Sequence, residues 1–337
     1  MIITKTPFRM SFFGGGTDME SFFIKHGGAV LSTTFDKYCY VNVRHLPRFF
    51  DYSTELSYSR TERVTSIEDI EHPAVRNAMK MLDMHEIRLT YEADLPARSG
   101  LGTSSSFAVG MLNAFYALKG KYADKRKLAD EAIYLERVLC EEAGGWQDQI
   151  AASFGGFNRI NFNTDGTYDV LPVIISPERK KNLNDNLMMF FTGFTRFSSD
   201  VQKANAGTKE TQEAKEKRYL KMLSLVDKAE QILTDKTTNL DNFGRLLDHT
   251  WKLKKQTGSA VSTNSIDALY EKGIQAGALG GKLLGAGGGG FLVFYVQPEY
   301  QEAVKEAMKE LMYIPFRFED GGTRVIHYTP EAYEPNA

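Results

Sequence analysis

The segment PARSGLGTSSS at residues 96–106 joins a predicted strand to a predicted helix. Residues 87–94 before it alternate strictly, which is typical of a half-buried strand. Residues 107–118 after it have the apolar spacing of a helix. Glycines let the backbone turn tightly, so that successive N–H groups can point at one spot. The N-terminus of the following helix is therefore suited to binding phosphate.

The same segment also fits a simple strand-to-helix turn that is capped by a serine and binds no ligand. It is not a Walker A loop, because no lysine follows the second glycine. The third glycine of the dinucleotide-binding fingerprint is also absent. The missing fingerprint, together with the lack of a following strand with an acidic end about 20 residues on, disfavours a dinucleotide-dependent dehydrogenase.

The composition is that of an ordinary globular protein. The chain has 337 residues, 42% of them hydrophobic and 25% charged, which is enough for two domains that share an interface. A formal charge of −2 gives no electrostatic reason to expect nucleic acid or an anionic membrane as a partner. Cys39 and Cys140 are too few for a disulfide framework, and free thiols fit a reducing cytoplasm. No apolar run is long enough to span a membrane.

Hydrophobic periodicity predicts further elements along the chain. Strands are predicted over residues 28–45, 157–162, 187–191, 291–296, 314–319 and 323–328. Helices are predicted over residues 125–142, 199–235, 240–256, 265–279 and 299–312. The change to long charged helices near residues 190–200 indicates a domain boundary there.

Glu136 is the anomaly of the helix predicted over residues 125–142. At 100° per residue, Glu136 projects near the middle of an apolar arc that contains Leu135 and Leu139. A carboxylate that points into the core is costly unless it is paired or bound to a metal. Glu136 is therefore a partner in a structural ion pair, part of a helix end that enters a cleft, or a metal ligand.

The segment GGWQDQ at residues 144–149 places Asp148 just before an apolar run. Aspartate commonly caps the N-terminus of a helix, so a purely structural interpretation of Asp148 is open. Arg9 likewise fits an ordinary surface arginine at the start of a strand.

Three motifs together resemble those of the GHMP kinases, the group named for galacto-, homoserine, mevalonate and phosphomevalonate kinases. The segment 96–106 resembles the phosphate loop of that family. TPFRMSFFGGGTD at residues 6–18 resembles its first motif, and KLLGAGGGGF at residues 282–291 its third. The three motifs come in the family order and span nearly the whole chain.

The resemblance implies an α+β fold of two domains with the active site in the cleft between them. An N-terminal domain like that of ribosomal protein S5 is expected over residues 1–195. A ferredoxin-like C-terminal domain is expected over residues 196–337.

The resemblance also implies ATP as the phosphoryl donor and Mg²⁺ as its metal ion. Ser104 and Glu136 would hold the Mg²⁺. Asp148 takes the place of the aspartate that accepts the proton of the attacking hydroxyl, and Arg9 matches an arginine near the transferred phosphoryl group. The nucleotide would be bound by Pro96, Ser99, Gly100, Leu101, Gly102, Thr103, Ser104 and Ser105.

The first motif bears on the substrate. Galactokinases show Gly-Glu-His-Thr-Asp where this chain has GGGTD at residues 14–18. The loss of two side chains argues against galactose and for a bulkier sugar. The substrate is expected to contact Gly16, Thr17, Asp18 and Asp148.

GGGTD, GWQDQ and TGFTR at residues 192–196 together most resemble the D-glycero-D-manno-heptose 7-phosphate kinases and the related fucokinase-like group. This resemblance implies phosphorylation at the anomeric oxygen to give heptose 1,7-bisphosphate. A substrate that already carries a phosphate needs a second anion site, for which arginine is the best partner. Arg196 is the first candidate, ahead of Lys37, Arg44 and Arg48.

Two other functions stay open. The chain is a kinase of a free sugar such as L-fucose, or it is a kinase-like sugar sensor without turnover. The second is disfavoured, because such a relative is expected to lose Glu136 or Asp148, and both are present. Small-molecule partners are expected, with the chain as a monomer or a homodimer.

Overall fold

A computed structural model describes residues 1–47, 49–97, 99–193, 212–258 and 261–330. Its strands are β1 (Ile2–Phe13), β2 (Gly28–His45), β3 (Thr54–Ser57), β4 (Thr61–Val64), β5 (Ile87–Ala93), β6 (Phe157–Phe162), β7 (Tyr168–Pro172), β8 (Leu187–Phe191), β9 (Ala278–Leu283), β10 (Phe291–Val296), β11 (Met312–Ile314), β12 (Phe318–Glu319) and β13 (Arg324–Tyr328). Its helices are α1 (Glu20–His26), α2 (Pro73–Met81), α3 (Thr103–Leu118), α4 (Lys125–Tyr134), α5 (Gln147–Phe154), α6 (Pro177–Asp185), α7 (Gln212–Thr234), α8 (Asp241–Lys255), α9 (Asn264–Gln275) and α10 (Gln301–Ala307).

The first sheet has nine strands and is organised around the long strand β2. Its main path runs β13-β1-β2-β5-β3-β4, with β6 and β12 also paired to β2 and β7 paired to β6. The pairs are antiparallel except β3 with β5. The last strand, β13, therefore returns to the first, and Ile2 faces Tyr328.

The second sheet has four antiparallel strands in the order β11-β8-β10-β9. In chain order these strands alternate with helices as β8, helices α7 to α9, β9, β10, α10 and β11. This is the βαββαβ pattern of ferredoxin-like folds with additional helices in the first crossover. The predicted α+β class is confirmed by the two sheets and their helices.

Strand β1 shows how the two sheets meet. Its burial alternates through Lys5, and every residue from Thr6 onward is buried on both faces. The reason is that α7, α8 and the second sheet cover the second face, so that Phe8 and Phe13 share a core with Leu247 and Phe291. The end of β1, which carries the first motif, thus lies inside the interface between the sheets.

Most predicted strands are confirmed, whereas several helices end earlier than expected. The helix predicted over residues 125–142 is α4 followed by a π-helical turn, Leu135–Leu139. The helix predicted over residues 265–279 ends at Gln275, and strand β9 follows. Strand β9 was not predicted, because glycines at 280 and 281 weaken its strand signal.

The domain boundary at residues 195/196 stays a prediction, because residues 194–211 lie outside the described part of the chain. Strand β8, which precedes it, pairs within the second sheet, and strands β12 and β13, which follow it, pair within the first. Among the described helices, none is long and apolar enough to cross a membrane.

Candidate active site

The segment 96–106 turns sharply into helix α3. Gly102 is the N-cap of α3 and adopts the left-handed conformation (φ 71°). A glycine has no side-chain oxygen, so no side chain at this cap competes for the first N–H groups of α3. The alternative prediction of a serine cap is therefore wrong, and the free helix N-terminus suits an anion.

The glycine-rich segment 285–290 packs directly against this loop. A Cβ atom on Gly285 would lie 2.3 Å from Gly100 Cα, and one on Gly100 would lie 2.4 Å from the Leu284 carbonyl oxygen. Real Cβ atoms do not approach other atoms so closely, so both positions require glycine. The segment 285–290 therefore supports the predicted phosphate loop from behind.

Glu136 lies where the sequence predicts it, with 1% of its surface exposed. Ser104 Oγ donates to Glu136 Oε1 at 2.8 Å, and Ser105 Oγ donates to Oε2 at 2.7 Å. The amide of Gln149 also donates to Oε2, and the Arg137 guanidinium lies 3.8 Å away. The buried charge is thus compensated by hydrogen bonds and one cation.

These residues fit a magnesium ion. The Glu136 carboxylate and the Ser104 hydroxyl are oxygen ligands of the kind Mg²⁺ prefers, and Ser104 is exposed at the start of α3. Magnesium in nucleotide sites uses one or two carboxylates and completes its shell with phosphate oxygens and water. In keeping with so few protein ligands, the described residues contain no group of three His, Cys, Asp or Glu side chains able to hold a metal.

Arg9 and Asp148 form a bidentate ion pair beside the phosphate loop. Arg9 Nε donates to Asp148 Oδ1 at 2.7 Å, and Nη2 donates to Oδ2 at 2.9 Å. Arg9 Nη1 also donates to the Gly100 carbonyl at 2.6 Å. Asp148 is the second residue of α5, whose N-cap is Trp146, so the interpretation of Asp148 as the helix cap is wrong. The surface interpretation of Arg9 is wrong as well, since 6% of its side chain is exposed.

Asp18 lies next to this pair, almost completely buried. Its Oδ1 accepts from the Gly16 N–H at 2.8 Å, and its Oδ2 from the Gln147 N–H at 3.4 Å. Burial raises the pKa of Asp18, and the nearby charge of Asp148 raises it further. A buried carboxyl in a cleft with a raised pKa is a candidate functional group.

The neighbours of Asp18 differ from expectation. The Thr17 hydroxyl lies 2.8 Å from the Gly14 carbonyl oxygen and 2.9 Å from that of Ala29, so it holds the loop together and does not face the cleft. A Cβ atom on Gly16 would lie 2.9 Å from Cε1 of Tyr219, so an aromatic ring of α7 fills the predicted empty space there. At Gly15 a Cβ atom would lie 3.8 Å from Gln147 Nε2 and from Ser11 Oγ, which is ordinary van der Waals contact, so a small group fits there without a clash.

The other predicted nucleotide ligands lie along the same loop. Pro96 is exposed, whereas Leu101 is buried in the core and its carbonyl accepts from the Arg9 N–H at 3.1 Å. The buried hydroxyl of Ser99 has no hydrogen-bond partner among the described residues. Arg196 and Arg48, both predicted as anion ligands, lie outside the described part of the chain.

Two lysines of the second half reach the site without having been predicted as site residues. Lys282 Nζ donates to the carbonyls of Ser11 and Phe12 at 2.8 and 2.9 Å, and Lys254 Nζ donates to the carbonyl of Gly285. Lys282 belongs to the third motif, but the motif alone does not indicate where its side chain lies. Lys254 lies in a charged helix next to other lysines, and nothing in the local sequence distinguishes it from a solvent-exposed lysine.

Residues 70–156 match the family described as GHMP kinases N terminal domain, and residues 229–314 match GHMP kinases C terminal. A D-glycero-alpha-D-manno-heptose 7-phosphate kinase of Campylobacter jejuni is 30% identical over 96% of this chain and 98% of the relative. An L-fucokinase/L-fucose-1-P guanylyltransferase of Bacteroides fragilis is 30% identical over 65% of this chain and 23% of the relative.

The fold is also found among solved structures. A D-glycero-D-manno-heptose 1-phosphate kinase of Bacteroides thetaiotaomicron superposes with a TM-score of 0.77, at 23% identity, over 97% of this chain and 99% of the other. At that identity the likeness concerns the fold alone. The two matched domains and the full-length relative at 30% identity show that this chain belongs to the GHMP kinase family.

Proposed function

We propose that this protein is an ATP-dependent sugar-phosphate kinase. It transfers the γ-phosphoryl group of ATP to the anomeric hydroxyl of D-glycero-D-manno-heptose 7-phosphate and so produces heptose 1,7-bisphosphate. The full-length relative from C. jejuni, named as a heptose 7-phosphate kinase, supports this substrate. The two free cysteines support the cytoplasm as its location.

One observation carries the proposal. A Cβ atom on Gly102 would lie 3.2 Å from Arg9 Cγ and 3.3 Å from Asp148 Cγ. The Asp148 carboxylate therefore lies directly against the N-terminus of α3, and the Arg9 guanidinium that pairs with it donates to the Gly100 carbonyl of the same loop. Phosphoryl transfer needs this arrangement, because the attacking hydroxyl, its proton acceptor and the γ-phosphoryl group must meet within a few ångströms.

In this mechanism Asp148 accepts the proton of the anomeric hydroxyl, whose oxygen attacks the γ-phosphorus. The bond from the γ-phosphorus to the bridging oxygen of ATP breaks, and ADP leaves with that oxygen. Arg9 fixes the orientation of Asp148 through its two hydrogen bonds and places positive charge beside the transferred group. The N–H groups at the start of α3 bind phosphate oxygens. Ser104 and Glu136 would hold Mg²⁺, which supplies neutralisation of phosphate charge when bound.

Asp18 binds the sugar in this proposal. Its raised pKa reflects a carboxyl that is removed from water, and sugar hydroxyls that donate to it would replace that water. The existing phosphate of the substrate would be bound by Arg196, and the absence of a side chain at Gly15 would leave room for part of the larger sugar. The names of the two heptose kinases put the existing phosphate at different positions, carbon 7 in one and carbon 1 in the other.

The test is a comparison of kcat/KM over a panel of sugars with ATP and Mg²⁺. The panel contains heptose 7-phosphate, heptose 1-phosphate, free heptose, L-fucose and galactose, and phosphorus NMR locates the new phosphate. A charge-assisted contact contributes about 1.5–3 kcal/mol. The kcat/KM for heptose 7-phosphate is therefore expected to exceed that for each free sugar at least about tenfold. Loss of Arg196 is expected to reduce this ratio and to spare turnover of free sugars.

A kinase of free L-fucose is the second candidate, because the B. fragilis relative with fucokinase activity in its name is also 30% identical. If L-fucose has the highest kcat/KM, this candidate replaces the heptose assignment. If ATP binds and no sugar in the panel is phosphorylated, the sensor function becomes the better account.

A further inference from the structure

Lys254 differs from its neighbours in the last turn of α8. Lys252 pairs with Asp248 at 2.7 Å, and Lys255 pairs with Asp267 at 3.0 Å. Lys254 turns inward and donates to the Gly285 carbonyl. Among the described residues no carboxylate lies within ion-pair distance of its nitrogen. An ammonium group has three donors, so the Gly285 carbonyl satisfies only part of its capacity.

Gly285, the hydrogen-bond partner of Lys254, is connected to the Arg9–Asp148 pair by packing and hydrogen bonds. Gly285 packs against Gly100 so closely that neither glycine tolerates a Cβ atom. The Gly100 carbonyl accepts from Arg9 Nη1 at 2.6 Å, and Arg9 holds Asp148. The contacts therefore run from Lys254 through two glycines to the Arg9–Asp148 pair. The ammonium reaches the site from α8 and lies close enough to Arg9, Asp18 and Asp148 to interact with their charges.

The charges around Lys254 are those of the site. Burial lowers the pKa of Lys254 to about 8, the positive charge of Arg9 lowers it as well, and Asp18 and Asp148 raise it. Lys282 also interacts with it electrostatically, and from α7 the guanidinium of Arg218 donates to the Gln256 carbonyl close by in sequence. Lys254 is half-buried and has a single carbonyl partner, so an anion at the site would complete the interactions of its ammonium group.

We propose that the ammonium of Lys254 contacts the phosphoryl group that is transferred, which makes it a further catalytic residue. The helices of the second sheet supply it, whereas Arg9, Asp148 and the phosphate loop belong to the first half of the chain. Asp18 and Asp148, which interact electrostatically with Lys254, are the residues proposed to bind the acceptor sugar. The phosphoryl group that moves to this sugar is therefore the anion best placed to contact Lys254. The lysine keeps its proton throughout and acts by charge and hydrogen bonding. The inference rests on the proposed kinase function.

The first test needs no sugar. Binding of ADP and of a non-hydrolysable ATP analogue with an imido bridge is measured by calorimetry with Mg²⁺. Only the analogue has a γ-phosphoryl group, so Lys254→Met is expected to lower the ratio of analogue affinity to ADP affinity at least about tenfold. Lys254→Arg should retain most of the ratio. The control is Lys252→Met in the same turn, which should leave it unchanged.

A pH series of the same binding measurements gives a second test, which does not require Lys254→Met to fold. In the wild type the analogue-to-ADP ratio should fall as pH rises through about 8, because the free protein loses the ammonium proton there. In Lys254→Arg, whose guanidinium stays charged, this decline should disappear. An unchanged ratio in folded Lys254→Met, or the same alkaline decline in Lys254→Arg, would overturn the proposal. Failure of every sugar in the panel with a reduced ratio in Lys254→Met would reject the substrate and keep the role of Lys254.

Discussion

Asp148 can be separated from its structural surroundings by one isosteric change. Asp148→Asn keeps the size of the side chain and removes the charge and the proton acceptor. We expect kcat to fall by roughly 10²–10⁴ and ATP affinity to stay within a few-fold of wild type, because the phosphate loop is untouched. Steady-state kinetics and calorimetry check this, with the exposed Asp83→Asn as control. Wild-type kcat in the folded variant would leave Asp148 only as the partner of Arg9.

The buried carboxylate of Asp18 is expected to lower the stability of the protein near neutral pH and to bind the sugar. Its folded pKa is raised above the ordinary 3.8, so the native state retains the proton to a higher pH than the unfolded chain does. Stability therefore falls as pH rises from about 3.8 toward the folded pKa. Asp18→Asn should abolish this fall and be at least as stable as wild type at neutral pH.

The same variant should raise the KM for the sugar, because the anionic acceptor of sugar hydroxyls is lost. Urea unfolding at pH 3 to 8 and steady-state kinetics measure both effects. An unchanged sugar KM would remove Asp18 from the substrate site.

Glu136 tests the metal site. Glu136→Gln removes the carboxylate charge beside Ser104 and keeps its shape, so the apparent affinity for Mg²⁺ should fall at least about tenfold while the fold persists. The measurement is a Mg²⁺ titration of nucleotide binding, with circular dichroism for the fold and the neighbouring Glu142→Gln as control. A more stable variant with unchanged Mg²⁺ dependence would show that Glu136 is only a buried acid of the core.

At the residue scale, the sequence identifies those site residues whose polarity departs from the pattern of the element around them. Glu136 on an apolar arc is such a group, and the structure buries it as expected. Tyr219, Gln149 and Lys254 could not be found this way. Each is ordinary in its own helix and reaches the site only through tertiary packing.

At the scale of elements, the two glycine loops act as one unit. In Gly285→Ala the new Cβ atom would lie 2.3 Å from Gly100 Cα, so the loops must separate. The matched control is Gly120→Ala, where φ is also positive and nothing lies within 4 Å of the new Cβ. The control carries only the backbone cost of about 1–2 kcal/mol.

Gly285→Ala should lose a further 1–3 kcal/mol or so from overpacking, and ATP should bind more weakly. Urea unfolding and calorimetry check both expectations. Equal stability of the two variants, with ATP affinity unchanged, would mean that the loops do not depend on each other.

The elements also show where periodicity fails. Strands with strong hydrophobic patterns, such as β2 and β10, are predicted with the same first and last residues as the structure shows. The π-helical turn Leu135–Leu139 has no local signal, although it carries Glu136 into the site. Strand β9 is missed because its glycines admit Asp248 and Phe294, and this close approach is a tertiary requirement.

At the scale of the whole molecule, Lys282 links the two sheets. Its Nζ reaches from β9 to the carbonyls of Ser11 and Phe12 at the end of β1. Lys282→Met removes a donor from two buried carbonyls, so we expect a loss of about 1–3 kcal/mol at pH 7. The exposed Lys272→Met is the control and should change stability little.

The pH dependence gives a second measure of Lys282. Burial lowers its pKa well below 10.5, so the unfolded chain binds a proton that the native state has released. Wild-type stability should therefore rise with pH up to about 10.5, and Lys282→Met should lack this rise. Urea midpoints at several pH values decide the matter. The same rise in both proteins would assign it to other groups.

The pairing of β13 with β1 has a consequence for how the protein is made. All strands of the second sheet lie within residues 187–314, so the ribosome has delivered that sheet in full before β13 emerges. The first sheet still lacks this edge strand at that stage, because Ile2 pairs with Tyr328, which has not yet been synthesised. An open β edge readily pairs with other chains. The edge of β1 near Ile2 therefore stays open to such pairing until residues 324–328 have been synthesised.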